Sequence, residues 1–191
     1  MDRPVWLLDV DGVLNAARPG WRAPPRSDNA YSAGTMYRMR WAPALLDRIR
    51  GLHRADQVEI RWCTTWCSDA DQVERVFALP RLDRCWFDDL TGAAAASAKL
   101  AAARDVLAAG RRLIWTDDAV VPTSGPVYDE LTAAGRALLI APSPRRGLQP
   151  EHLDAIEEFT TDPCATDTDA ARAEALLVAR RLLGGDTTAP P

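Results

Sequence analysis

The chain has 191 residues, of which 47% are hydrophobic and 26% are charged, and its formal net charge is −4. This composition is typical of one globular domain, and no apolar run approaches the ~20 residues of a membrane-spanning helix. The acidic balance argues against stable binding to bulk nucleic acid, and the N-terminus lacks the features of a signal peptide. We therefore expect a cytoplasmic protein with no membrane partner.

The first predicted element is a buried strand over residues 5–10, which Asp11 and Gly12 end in a turn. Residues 14–40 differ in character, because they are rich in Pro, Gly, Arg, Ser and aromatic residues. Within them, residues 31–37 resemble a hairpin around a glycine-containing turn. A segment of this length inside a compact domain is usually functional. We interpret residues 14–40 as a small cap, or flap, inserted after the first strand.

Beyond the flap, helical patterns alternate with short apolar runs. Helices are predicted over residues 41–54, 64–77, 94–109, 127–134 and 150–159. Strands are predicted over residues 58–63, 84–87, 112–116 and 137–140. This alternation predicts an α/β fold, namely a Rossmann-like three-layer α/β/α sandwich with a five-stranded parallel sheet and a small flap-type cap. We assign residues 1–160 to this domain and 161–191 to a C-terminal extension with one helix, near 170–183, and a disordered tail.

Polar side chains follow three of the predicted strands, and ligands of parallel sheets collect at the carboxyl ends of the strands. In chain order these residues are Asp9 and Asp11, Thr64 and Thr65, and Asp117 and Asp118. Lys99, the one lysine of the chain, lies early in the helix between the last two groups. Clustered carboxylates repel each other unless a cation neutralises them, and oxygen ligands favour Mg²⁺. The pattern predicts a magnesium site where a carboxylate can attack phosphorus.

These residues also resemble the four signatures of the haloacid dehalogenase-like (HAD) hydrolases. The run Asp9-Val10-Asp11-Gly12-Val13-Leu14 resembles the first signature. The second, third and fourth signatures are matched by Thr64, by Lys99 and by the pair Asp117-Asp118. An isolated Asp-x-Asp-Gly is a weak signal, whereas four elements in the correct order, over roughly residues 4–159, are specific. Residues 62–66, 114–118 and 147–153 also resemble a mainly actinobacterial branch, some of whose relatives are associated with RNA-repair proteins.

The resemblance implies catalytic roles for four residues. Asp9 would attack phosphorus and become an aspartyl-phosphate, and Asp11 would be the general acid and then the general base. Thr64 would hydrogen-bond the transferring phosphoryl group, and Lys99 would pair with Asp9 and the phosphate. The presence of a second aspartate, Asp11, argues against a dehalogenase.

The resemblance also implies the ligands of a Mg²⁺ ion. They would be Asp9, Asp11 through its backbone carbonyl, and the pair Asp117 and Asp118. Because neighbouring residues of extended backbone point to opposite sides, only one of the pair is expected to bind the metal directly. Asp118 is preferred for this role, and Asp117 would then bridge to Lys99 or to a water.

Five further residues are candidates for substrate binding. Arg18 and Arg40 of the flap can bind phosphate bidentately, Trp21 flanks the flap, and Asn15 and Thr65 adjoin the first and second signatures. Alternatives stay open for each type of residue. The arginines can form a solvated loop face, Asn15 can fix the turn, and Thr65 can cap the following helix.

The predicted activity is Mg²⁺-dependent hydrolysis of a phosphomonoester. The expected partner is a phosphorylated small molecule or a nucleic-acid end, with nucleotide and nucleic-acid-end phosphates preferred to sugar phosphates. A small cap leaves the mouth open, and a homodimer in which the partner subunit supplies a lid is an open alternative. The alternative function is a catalytically weak HAD-like protein that binds a phosphorylated ligand or a protein partner. The intact set of aspartates and lysine argues against it.

Overall fold

A computed structural model describes residues 3–161, and the helix predicted near 170–183 and the tail after it lie outside these residues. The described strands are β1 (Val5–Leu8), β2 (Arg26–Ser32), β3 (Thr35–Trp41), β4 (Glu59–Trp62), β5 (Asp83–Arg84), β6 (Leu113–Thr116) and β7 (Ala137–Ile140). Five of them form one parallel sheet in the order β5-β4-β1-β6-β7, and β2 and β3 form a separate antiparallel hairpin. The predicted Rossmann-like α/β fold with a five-stranded parallel sheet is confirmed.

The central strands are apolar because helices cover both faces of the sheet. Every residue of β1 and β6 is buried. The register pairs Leu8 of β1 with Trp62 of β4 and with Thr116 of β6. The three strands therefore end at the same level, and the residues that follow them emerge at one edge of the sheet.

The helices that connect the strands are α1 (Pro43–Arg54), α2 (Ala70–Phe77), α3 (Gly92–Ala108), α4 (Pro126–Thr132) and α5 (Pro150–Thr161). None of the helices within residues 3–161 is both long and apolar enough to cross a bilayer. The end of α3 follows the sequence prediction, because Gly110 adopts a left-handed φ of 75° just beyond it.

Two predicted boundaries are wrong. The second helix begins at Ala70 with Asp69 as its N-cap, so Thr65 does not cap it. Residues 64–69 turn instead, because the Cys67 amide donates to the Thr64 carbonyl and the Asp69 amide donates to the Trp66 carbonyl. The strand predicted over 84–87 overlaps the observed β5 (Asp83–Arg84) at Arg84 alone, and β5 lies at the edge of the sheet and pairs with β4 alone.

The flap contains the hairpin that the sequence predicts around Gly34. Ala33 and Gly34 connect β2 to β3, and both have a left-handed φ, of 47° and 76°. Such two-residue turns suit the twist of a hairpin. One hairpin face carries Met39 and Trp41 into the core, whereas side chains of the opposite face remain accessible.

Candidate active site

Three carboxylates meet at the carboxyl edge of the sheet. Asp9 follows β1, and Asp117 and Asp118 follow β6, and one oxygen of each lies within 4.8 Å of the others. The Asp9 amide donates to the Thr116 carbonyl (3.2 Å), which continues the ladder between the two strands to the site. The parallel register thus brings together acids that are more than 100 residues apart in the sequence.

Lys99 from α3 lies between two of these acids. Its Nζ donates to Oδ2 of Asp9 at 2.7 Å and to Oδ2 of Asp117 at 2.5 Å. Lys99 is 5% exposed, Asp9 is 6% exposed and Asp117 is fully buried. Burying charges is costly unless they are paired and hydrogen-bonded. The arrangement is therefore a buried network in which each member depends on the others.

The electrostatics of the network differ between its two aspartates. Burial raises the pKa of Asp9 to about 7, although the Lys99 charge acts to lower it. Burial acts in the same direction on Asp117, but the Lys99 ammonium and two backbone amides lower the pKa of that carboxyl below its usual range. Burial acts to lower the pKa of Lys99, but the two carboxylates raise it above its ordinary value. A further positive charge beside Asp9 would therefore favour its ionised form.

The two neighbouring aspartates after β6 have different surroundings. Asp117 Oδ1 accepts the amides of Ala119 and Val120 at 2.9 and 2.7 Å, and Oδ2 accepts Lys99. The Asp118 carboxylate is partly exposed and forms no ion pair within the described part of the chain. Burial, together with the charge of Asp117, raises the pKa of Asp118. Asp118 is thus the member of the pair with oxygens available to a metal ion.

Gly12 allows the first-signature turn to approach Asp118 closely. Its φ is 71°, in the left-handed region, and a Cβ at this position would overlap the Asp118 carboxylate. A larger residue would therefore meet both backbone strain and a steric clash. The glycine of the first signature fixes the space in which Asp118 lies.

The Asp11 carboxylate is not one of the three clustered acids. Its Oδ1 accepts Asn15 Nδ2 at 2.7 Å, and its Oδ2 accepts the indole Nε1 of Trp66 at 2.9 Å. This contact was not predicted from the sequence. The signal that could have found it is the position of Trp66 two residues after Thr64 in the second signature.

The two threonines after β4 are placed differently. Thr64 is fully buried, its side chain acts to lower the pKa of the Asp9 carboxyl, and its Oγ1 accepts the Trp66 amide at 3.4 Å. Thr65 is exposed. Of the two, Thr64 therefore lies against the predicted nucleophile.

The flap contributes a cavity of about 550 Å³ beside Asp11. The residues that line it are Asp11, Gly12, Asn15, Ala16, Ala17, Arg38 and Arg40. Two of the predicted substrate-binding residues, Asn15 and Arg40, are among them, and Arg38 is an additional one. Arg18 and Trp21 are not. The Trp21 indole donates to the Leu148 carbonyl (2.8 Å) and lines a separate cavity of about 500 Å³.

Comparison with known proteins agrees with this geometry. The family model described as "HAD domain in Swiss Army Knife RNA repair proteins" matches residues 5–153, which include the three clustered acids, Lys99 and the flap. No curated protein and no solved structure matches the chain. The match covers most of the sequence, and the chain belongs to the family of HAD domains found in Swiss Army Knife RNA repair proteins.

Proposed function

We propose that this HAD domain is a Mg²⁺-dependent phosphomonoester hydrolase that acts through an aspartyl-phosphate on Asp9. The observation that carries the proposal is the buried contact of Lys99 with Asp9 and Asp117, beside the uncommitted carboxylate of Asp118. The proposed substrate is a nucleotide or a nucleic-acid end. The description of the family, which concerns RNA repair proteins, supports the second of these.

The residues at the sheet edge fit a Mg²⁺ ion. Asp9, Asp118 and the backbone carbonyl of Asp11 would hold it, and all of these ligands are oxygens, which a hard cation prefers. The raised pKa values of Asp9 and Asp118 indicate carboxylates that a further positive charge would stabilise in their ionised form. When bound, Mg²⁺ would supply positive charge that offsets the charge of the phosphoryl oxygens.

The first chemical step would take place on Asp9. Its carboxylate oxygen attacks phosphorus, and the bond from phosphorus to the leaving oxygen breaks as the aspartyl-phosphate forms. Asp11 gives its proton to the leaving oxygen, so that the product departs as a neutral alcohol. Lys99 holds the attacking carboxylate in place, and the Thr64 hydroxyl would hydrogen-bond the transferring phosphoryl group.

The second step would restore the enzyme. A water attacks phosphorus of the aspartyl-phosphate, and Asp11, now ionised, takes a proton from that water. The bond from phosphorus to the Asp9 oxygen breaks and releases inorganic phosphate. Asp11 is thus protonated again and ready for the next substrate. The hydrogen bonds from Trp66 and Asn15 would keep its carboxylate in one orientation through both steps.

The test is Mg²⁺-dependent release of phosphate from p-nitrophenyl phosphate by the wild type and by Asp9→Asn. Because the variant lacks the nucleophile, we expect its kcat/KM to fall by at least about 10³-fold. Asp89→Asn, which changes an exposed loop carboxylate, controls for the loss of one charge and should retain activity. Equal rates for wild type and Asp9→Asn, or no hydrolysis of a broad panel of phosphomonoesters, would contradict the proposal and favour the alternative of a phosphate-binding protein.

A further inference from the structure

We infer that the cavity between the flap and Asp11 binds a second phosphate group of the substrate, on the leaving-group side of the ester. This inference rests on the proposed function and specifies its substrate class. The group bound there would be the other phosphate of a nucleoside bisphosphate or the neighbouring phosphodiester of an oligonucleotide end. Both sources present the same anion to the protein.

The position of the cavity relative to the reacting atoms assigns it to the leaving group. Asp11, the proposed acid for the leaving oxygen, lines the cavity, whereas Asp9 does not. In an in-line displacement the leaving oxygen departs on the side of phosphorus opposite to the nucleophile. The alcohol part of the substrate must therefore extend from Asp11 into the cavity, away from Asp9.

The flap supplies positive charge at this place. Arg38 and Arg40 are two residues apart in β3, so their side chains lie on the same face of the hairpin. Within residues 3–161 neither guanidinium forms an ion pair, whereas arginines elsewhere, such as Arg48 and Arg104, pair with acids. A phosphate in the cavity would supply the missing counter-charge.

Each guanidinium has donors to spare. Arg38 Nη2 donates to the Ser27 hydroxyl at 3.2 Å, and Arg40 Nη1 donates to the Ala17 carbonyl at 3.3 Å. Both acceptors are neutral, and a guanidinium has five N–H donors in total. The remaining donors can bind phosphate oxygens bidentately, which is the strong form of this contact.

Hydrogen bonds of Asn15 and Ala16 fix the strand that carries the arginines relative to Asp11. Asn15 donates to Asp11 and, through its Oδ1, accepts the Arg40 amide at 2.9 Å. The Ala16 amide donates to the Arg40 carbonyl at 3.0 Å. One side chain thus links the general acid to the strand that carries the arginines. A second phosphate bound by that strand would place the leaving oxygen at Asp11.

The lining also indicates what the cavity does not recognise. A volume of about 550 Å³ is within the usual range for small-molecule sites. However, no aromatic side chain lines it, and its apolar side chains are those of Ala16 and Ala17. Stacking on a base is therefore not supplied here. We expect selection for the second phosphate with little selection among bases.

The test compares kcat/KM for a nucleoside 3′,5′-bisphosphate, the corresponding 3′- and 5′-monophosphates, and a 3′-phosphorylated dinucleotide. The wild type should prefer substrates with a second phosphate or phosphodiester by about 10-fold or more, since hydrogen bonds to charged groups are strong. In the double variant Arg38→Gln/Arg40→Gln this preference ratio should fall close to one. Rates that rise for the dinucleotide but not for the bisphosphate would assign the cavity to a phosphodiester, and the reverse would assign it to a free phosphate.

Arg26→Gln is the matched control. Arg26 is exposed and lies on the same hairpin, but it pairs with Trp41 and therefore belongs to the opposite face from Arg40. Its substitution should leave the preference ratio unchanged. An equal ratio in the wild type and the double variant, or an equal loss in Arg26→Gln, would overturn the inference while leaving the proposed hydrolysis intact.

A binding measurement separates this inference from the proposed function. In the Asp9→Asn background, calorimetry should show that the bisphosphate binds about 10-fold or more tightly than either monophosphate. Adding Arg38→Gln/Arg40→Gln should remove that difference. This comparison needs no turnover, so it holds even if hydrolysis is not observed. Equal affinities for bisphosphate and monophosphates would overturn the inference.

Discussion

At the scale of single residues, the orientation of Asp11 depends on two neighbours that do not belong to the acidic cluster. Asp11 is exposed, and hydrogen bonds from Trp66 and Asn15 hold its two oxygens. Trp66 is itself fixed, because it is 5% exposed and its ring forms a T-shaped contact with that of Tyr37, with centroids 5.2 Å apart. Trp66 is therefore a positioning residue for the proposed acid.

Trp66→Phe should impair proton transfer more than binding. Removing the indole N–H leaves Asp11 held through Oδ1 by Asn15 but no longer through Oδ2, so its carboxylate is oriented less firmly. We expect kcat to fall about 10-fold for an alkyl phosphate, whose leaving oxygen needs a proton. The fall should be smaller for p-nitrophenyl phosphate, whose leaving group departs more readily without protonation. Steady-state kinetics on both substrates, with kcat and KM separated, provide the measurement.

Trp86→Phe is the control for this prediction. Trp86 is also buried, but its Nε1 has no hydrogen-bond partner among residues 3–161. The change removes the same atoms without breaking a hydrogen bond of that indole to a site residue. If Trp66→Phe lowers kcat equally for the alkyl phosphate and for p-nitrophenyl phosphate, the role of Trp66 is structural and the positioning role is refuted.

The sequence predicts some of these residue positions and not others, for a physical reason. Asp9 and Asp117 could be placed together because parallel strands that end at one level force the next residues to one edge. The contact of Trp66 with Asp11 could not be predicted, because it depends on how residues 64–69 turn before α2 begins. The flap likewise marked Trp21 and Arg40 as candidates for substrate binding, but the sequence did not predict which cavity each lines.

At the scale of elements, the start of α5 supports the loop of the first signature. Gln149 Nε2 donates to the carbonyls of residues 146–148, at 2.8 to 3.3 Å, and the Leu148 amide donates to the Val13 carbonyl at 2.9 Å. His152, in the first turn of α5, accepts the Gln149 amide through Nδ1 at 3.1 Å. This contact is one half of a capping box, in which the side chain three residues further on accepts the amide of the residue before the helix, and it requires the neutral form of the imidazole.

The stability of this helix start should depend on pH. Burial lowers the pKa of His152 from its ordinary 6.5, although Glu151 acts to raise it. A lowered folded-state pKa means that the unfolded chain binds the proton more readily, so stability is present above about pH 6.5 and is lost as the pH falls below it. A cation at a helix N-terminus is also unfavourable.

The measurement is the free energy of unfolding in urea at about pH 7.5 and about pH 5.5 for the wild type and His152→Gln. Glutamine can keep the capping contact but does not titrate. The wild type should lose roughly 0.5 kcal/mol more than the variant on acidification, a small value because the imidazole is partly solvated. His53→Gln, at the other histidine of the chain, controls for removal of one imidazole. An identical pH dependence in wild type and His152→Gln would refute the prediction.

The element order also shows where sequence patterns suffice. Apolar runs such as β7 (Ala137–Ile140) were predicted at their observed bounds, because an apolar run is a local feature of the sequence. The strand predicted over 84–87 was too long, because pairing at a sheet edge depends on the partner strand and not on local apolarity. The turn of residues 64–69 was also missed, because it depends on backbone hydrogen bonds that the residue pattern does not reveal.

At the scale of the whole molecule, the acidic cluster proposed for catalysis lowers the stability of the folded state. Three carboxylates and one ammonium lie together at the sheet edge. The pKa values of two of these carboxyls, Asp9 and Asp118, are raised, and burial is the largest cause of both shifts. Like charges held close together destabilise the folded state. Active sites commonly carry such a cost, which substitution can relieve at the expense of activity. The folded protein should therefore gain stability when a cation neutralises the cluster.

Addition of Mg²⁺ should raise the free energy of unfolding of the wild type. Binding to the folded state alone contributes RT ln(1 + [L]/Kd), or about 2.7 kcal/mol when the ion is at 100 times its Kd. Asp118→Asn should change the stability of the metal-free protein and its response to Mg²⁺ in opposite directions. It removes one of the repelling charges and should stabilise the metal-free protein by roughly 0.5–1 kcal/mol, but it also removes a ligand and should lose most of the Mg²⁺ increment. Thermal and urea unfolding with chelator and with excess Mg²⁺ provide the comparison.

Asp89→Asn separates a local effect at the site from a general effect of net charge. It lowers the overall negative charge by the same amount as Asp118→Asn, but its carboxylate lies in an exposed loop and is not one of the clustered acids. It should therefore keep the Mg²⁺ increment of the wild type. If Asp118→Asn were stabilised by Mg²⁺ as much as Asp89→Asn, the ion would bind elsewhere, because the loss of a ligand must reduce the affinity of the site that contains it. The difference in Mg²⁺ increment between these two variants measures the share of the binding free energy that depends on Asp118.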